Sequence, residues 1–209
     1  MRLSCSALAE FVVDGKFVLV GSRKHWERNE RRVLTPIGGA IEAIPTGKAW
    51  LIDVLGARRF EGKSLDLRFR MDTAELPNFR QWFNSNVGLE SNAMGREWLE
   101  ELGPKEHGLL DKNEVRQARF KFLRQVEHLQ PSARLGHEGI MTHCFFRFYK
   151  PIEVPERILE KLRVAAEDPT TLLELVTPEE IVKGEFFRKH GEKVRRGEIP
   201  NLNKYLLDC

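Results

Sequence analysis

The sequence predicts an α+β chain, and three observations predict it. Runs rich in β-branched and aromatic residues alternate with amphipathic stretches of helical period, and no internal repeat or low-complexity tract interrupts them. The 209 residues are 41% hydrophobic and 31% charged, the balance of a folded globular chain long enough for a sizeable core. A net charge of +3 is only mildly basic; it suits an anionic small molecule and is too weak to imply a nucleic acid unless concentrated.

Class and location follow from what is scarce. Cys5, Cys144 and Cys209 are odd in number, far apart, and form no Cys-x-x-Cys or zinc spacing, so a reducing cytoplasm is expected. No apolar run approaches a membrane span, so no membrane partner is expected. The four residues before Cys5 are too short for a signal peptide.

In chain order, Ala7–Val13 and Lys16–Val20 read as strands joined at Asp14-Gly15, a two-residue hairpin turn that needs positive φ. The loop 21–32 is charged with one aromatic. It reads either as a solvated loop or as a site where Arg23, Arg31 and Arg32 meet phosphates and Trp26 stacks on a base. Residues 32–35 are a strand running into Pro36-Ile37-Gly38-Gly39-Ala40-Ile41-Glu42, whose glycines let the backbone approach a ligand. A short helix follows at 48–55, a half-buried strand at 64–71 and an amphipathic helix at 76–83, with Phe79, Trp82 and Phe83 turned to the core. Strands are expected at 115–127, 141–149 (stopped by Pro151) and 171–176, and helices at 155–162 and after Thr177-Pro178-Glu179-Glu180. The segment 183–209, rich in Arg and Lys, reads as a solvated helix and tail.

The stretch with the most chemistry is Arg96-Glu97-Trp98-Leu99-Glu100-Glu101-Leu102-Gly103. On a helix, Glu97, Glu100 and Glu101 share one face at i, i+3 and i+4, while Trp98 and Leu102 share the flank that buries. Three clustered carboxylates repel one another unless a cation sits among them, and a hard divalent ion with oxygen ligands meets that need. A solvated acidic face is the competing reading. Gly103, with Pro104 behind it, is expected to end the helix in a left-handed cap.

This string matches the helical half of the Nudix box, and the order of elements resembles the Nudix superfamily along most of the chain. Departures are visible. Residues 40–95 fill the gap that the usual box closes with a short loop, and the acidic position of that loop is Gly88, with Glu90 nearby but off register. Asp66-Leu67-Arg68-Phe69-Arg70, Gln81-Trp82-Phe83-Asn84-Ser85 and Gly95-Arg96-Glu97-Trp98 are similar to the SMODS-associated Nudix branch, found beside bacterial nucleotidyltransferases in presumed anti-phage operons.

The resemblance implies an α/β/α sandwich, a mixed sheet between helices, with a helix-strand-helix insertion. It is expected to be one domain over 1–209, with the insertion at 43–90 and a basic C-terminal extension at 184–209. It implies hydrolysis of a nucleoside diphosphate linked to another group, with Mg²⁺ or Mn²⁺ held by Glu97, Glu100, Glu101 and the Gly38 carbonyl. Arg96 would orient Glu97. Glu138 is the candidate loop acid or base, His137 the second choice, and Glu42 is either structural or catalytic. Nudix proteins are often homodimers, and the inserted segment offers such a contact. A functional link to a signalling nucleotidyltransferase is also implied. Two other functions compete: a Nudix scaffold that senses a nucleotide without cleaving it, and an RNA-associated protein acting through its basic C-terminal segment.

Overall fold

Two sheets organise the chain in the computed structural model, which describes residues 1–21, 32–62, 65–104, 107–132, 136–168, 170–190 and 193–207. The strands are β1 (Arg2–Ala9), β2 (Val12–Val13), β3 (Lys16–Gly21), β4 (Arg32–Pro36), β5 (Gly38–Ala40), β6 (Arg68–Arg70), β7 (Arg119–Pro131), β8 (Met141–Glu153), β9 (Leu173–Val176), β10 (Glu185–His190) and β11 (Lys193–Glu198). One sheet runs β5-β1-β8-β7 with β6 on β1; the other runs β10-β11-β4-β3-β2 with β9 on β3. The expectation of helices and strands mixed as α+β holds, but the strands form two sheets where one was expected. Two units divide the chain: Met1–Ala7, Gly39–Ala93 and Leu123–Phe148 form the first, and Leu8–Gly38, Met94–Phe122 and Tyr149–Cys209 the second.

In the first unit the helix Leu76–Ser85 carries its apolar residues at i, i+3 and i+4, and Phe79, Trp82 and Phe83 are all buried. Phe79 meets Phe145 edge-on at 5.1 Å and stacks on Phe83 at 5.6 Å. Burying each such ring stabilises by roughly 1.5–3 kcal/mol. The helix ends at Asn86, whose φ of 60° is left-handed. Arg147 closes that end: it donates to the Phe83 carbonyl at 2.5 Å and to Asn86 Oδ1 at 2.6 Å, and lies 3.8 Å over the Phe83 ring. The strand expected over 64–71 is shorter, pairing Leu3 with Phe69 on β1, while Asp66 makes an isolated bridge to Glu42.

In the second unit the hairpin forms as expected: Val13 pairs with Lys16, and Asp14 (φ 51°) and Gly15 (φ 73°) make the turn. Residues 112–117, part of which reads as strand in sequence, form a helix instead. Its cause is a capping box that competes with strand pairing: the Asp111 carboxylate accepts from the Glu114 N–H at 2.9 Å, and Glu114 accepts from the Asp111 N–H at 3.0 Å. β8 continues through Pro151, which lies near its end, where a missing N–H is tolerated. The largest correction concerns the C-terminal segment. It is a hairpin, β10 against β11, with Phe186 and Ile199 each 3% exposed, followed by a 3-10 turn over Asn201–Leu206. β11 lies parallel to β4 at Gly197, where a Cβ would fall 2.3 Å from the Arg32 carbonyl oxygen, so only glycine permits that approach.

Candidate functional site

The helix Ala93–Leu102 is anchored by the flank that the sequence picked out. Trp98 and Leu102 are both fully buried, and the Trp98 ring packs 5.0 Å from Phe11 and 5.2 Å from Phe120. Its end differs from expectation. Gly103 does not have positive φ; a Cβ there would lie 2.1 Å from the Leu99 carbonyl oxygen, so the glycine is required by close approach rather than by handedness. The Gly103 N–H donates to that same oxygen at 3.0 Å, and the chain turns back with Leu109 and Leu110 donating to the Leu102 carbonyl.

With the helix so fixed, Glu97 is carried to a buried position, 4% exposed. A buried carboxylate is costly without a partner. Arg96 provides one, with Nη1 at 2.7 Å from Glu97 Oε1 and at 3.3 Å from Glu100 Oε1. Arg96, Glu97 and Glu100 are therefore together, and Glu101 is half-buried on the same helix. Gly38 opens β5 with φ of 152°, a conformation that side chains rarely adopt, which accounts for glycine there.

The other candidates fall elsewhere. Arg32 is buried rather than facing a ligand. Its Nη1 donates to the Thr171 carbonyl at 2.8 Å and to Glu174 Oε1 at 3.1 Å. Glu138 is exposed in a turn of the first unit, and His137 beside it places Nε2 at 3.5 Å from Glu61, which Arg2 holds at 2.7 Å. Glu42 is tied through its backbone: its N–H donates to the Glu90 carboxylate at 2.6 Å, and its carbonyl accepts from the Glu90 N–H at 3.0 Å. Glu90 thus acts on the backbone of Glu42. Arg23, Trp26 and Arg31 lie outside the described residues. Sequence reading missed Glu174 and Arg195, which with Arg32 form a buried charged triad; no local pattern joins positions so far apart.

The donor chemistry of Glu97, Glu100 and Glu101 fits a hard divalent ion, being all carboxylate oxygen on one helical face. Among the described residues, no three His, Cys, Asp or Glu side chains are yet gathered closely enough to hold one. Arg96 occupies the place of a cation between Glu97 and Glu100.

The family model described as the SMODS-associated NUDIX domain matches residues 1–198. No curated protein and no solved structure matches the chain.

Proposed function

The chain belongs to the SMODS-associated NUDIX family, and from that premise we propose that it is a Mg²⁺- or Mn²⁺-dependent hydrolase. Its substrate would be a nucleoside diphosphate joined to another group, in bacterial anti-phage nucleotide signalling. The observation that carries the reading is the buried Glu97 carboxylate locked by Arg96 at the root of a face bearing two more carboxylates. NUDIX domains generally use divalent metals. When bound, such an ion neutralises charge on the bridging phosphates and makes hydroxide available near neutral pH.

The residues of the chain supply the rest. Trp98 and Leu102 fix the helix backbone, so gathering its carboxylates around a ligand calls for side-chain rotation alone. Arg96 holds the Glu97 carboxylate in place through its Nη1, and Glu97, Glu100 and Glu101 are the side chains that would hold the ion. Glu138 is our candidate for the acid or base, and Arg23, Trp26 and Arg31 for substrate contacts.

The test is incubation with dinucleotides, ADP-ribose and NAD in the presence of Mn²⁺. Glu100→Gln and Glu101→Gln should each lower turnover by about a hundredfold or more, the scale of losing one electrostatic group in a site. Turnover that survives both substitutions would sink the reading.

One observation favours a second function, a nucleotide sensor that binds without cleaving. The box acid is absent, and Gly88 in its place is fixed by backbone packing against Gly47. The sensor reading expects nucleotide binding that survives Glu100→Gln and Glu101→Gln, with no turnover of any compound.

A further inference from the structure

In the first unit, residues 58–61 run antiparallel to β6 and carry one residue more than the stretch they pair with. Arg58 and Arg70 exchange both backbone hydrogen bonds, at 2.8 and 2.7 Å. The Glu61 N–H, three residues on, donates to the Arg68 carbonyl, only two residues back from Arg70. The ribbon therefore contains a β-bulge. Arg59 sits in it with φ of 55°; among the described residues, it is the one with positive φ that is not Gly, Asn or Asp. Glycine is the usual residue for that conformation in a bulge, so the arginine is kept at a conformational cost, and such strain collects at functional positions.

β1 lies on the other side of β6, where Arg2 pairs with Arg70, so Arg2, Arg70 and Arg58 form a row on one face of three adjacent segments. Arg2 is neutralised. It is 4% exposed and donates from Nε and Nη2 to Glu61 at 3.0 and 2.7 Å, and from Nη1 to Thr142 at 2.8 Å. The other two are not. Among the described residues, the side chains of Arg58, Arg59 and Arg70 make no hydrogen bond or ion pair, and Arg58 and Arg59 are exposed. Like charges directly opposite one another destabilise a strand pair. Phe69, next to Arg70, is fully buried and stacks on Phe60 at 5.2 Å, so the ribbon is anchored from its core face and Arg70 and Arg58 stand on the opposite one.

We propose that Arg58, Arg59 and Arg70 bind a phosphate monoester dianion, carried by a nucleotide or by a phosphorylated side chain. Three guanidinium forks match the three terminal oxygens and the double charge of such a group, whereas a carboxylate offers two oxygens and one charge. Bound between Arg58 and Arg70, the dianion would remove the repulsion of the opposed pair. Asp72, exposed two residues past Arg70, and Glu61, two past Arg59, keep the cationic surface short. That suits one phosphate group rather than a long polyanion.

The inference is independent of the hydrolase reading, and its test uses the whole chain without divalent ions, so either can fail alone. Calorimetric titration at neutral pH would compare AMP with cyclic AMP, a diester of one charge, and a phosphoserine peptide with its unphosphorylated form. Each monoester should bind at least about tenfold more tightly than its control. Arg58→Gln, Arg70→Gln and Arg59→Gly should each weaken the monoester by about tenfold or more. Thermal melting of the same variants separates binding from a structural role. The two glutamine variants lose a like-charge repulsion and should melt no lower than the parent chain, and Arg59→Gly, relieved of its strained φ, should melt about 2 °C higher. Tighter binding of AMP than of the phosphopeptide would support the assignment with a nucleotide as the source, and the reverse order would support it with a phosphorylated side chain. Absence of binding by either monoester, equal binding of the controls, indifference to all three substitutions, or weakened binding that comes with a lower Tm in every variant would overturn it.

Discussion

At position 88 the backbone has φ of 82°, and a Cβ there would lie 2.7 Å from the Gly47 Cα; the Ile44 N–H also takes the Gly88 carbonyl at 2.8 Å. The missing box acid is therefore a packing necessity of the helix Pro45–Asp53 and not a neutral loss. Gly88→Asp, which would restore an acid in the sequence, should destabilise by about 3 kcal/mol through strained φ and backbone overlap. It should give no gain in turnover. Urea unfolding measures the first effect, and a loss below about 0.5 kcal/mol would show that the loop moves freely. Arg32 makes the same point from the other side. Its charge and its place next to a basic loop suggested a phosphate contact, but the guanidinium is consumed by Glu174 and Thr171. Nothing near position 32 signals this, because its partner lies in a distant strand.

At the scale of elements, local signals decided most boundaries. Thr177-Pro178-Glu179-Glu180 reads as a helix start, and the structure has both halves of the capping box there, with Gly184 left-handed at the other end. Thr177→Ala should cost about 1 kcal/mol, read from the shift in denaturation midpoint. The same element carries a pH dependence. Burial would raise the Glu180 carboxyl, but hydrogen bonds from Arg188 and the Thr177 N–H outweigh it and hold it below its ordinary value. A group depressed on folding stabilises the fold fully above the unfolded value and loses that contribution as pH falls through the folded one. Stability should therefore decline below the usual carboxylate range, and Arg188→Gln should flatten that decline in melts taken between pH 3 and 6. An unchanged slope in the variant would remove Glu180 from the account.

At the scale of the molecule, the basic C-terminal segment belongs to a sheet. Phe186, Ile199 and Leu206 are buried, and at roughly 1.5–3 kcal/mol for each side chain the loss on truncation after Lys183 should be of order 5 kcal/mol or more. That variant should lose its cooperative melt by circular dichroism, whereas a solvated tail would leave it intact. The same packing bears on nucleic acid. Arg188 and Arg195 are paired with Glu180 and Glu174, so their charge is balanced from within. Retention of generic RNA should be weak and nearly flat in salt, whereas a steep loss with added salt would restore the RNA reading. No helix among the described residues is long and apolar enough to cross a membrane.

The sequence by itself determined the acidic helix, its buried flank, the hairpin turn and the family, because each rests on residues within a few positions of one another. A helical face and a two-residue turn are local geometry, and local geometry is written in spacing. Tertiary structure alone decided that the C-terminal segment is a hairpin, that Gly88 replaces an acid to fit Gly47, and that Arg32, Glu174 and Arg195 share one buried cluster. These depend on which distant strands lie side by side, and charge or hydropathy at one position does not reveal the partner that neutralises it.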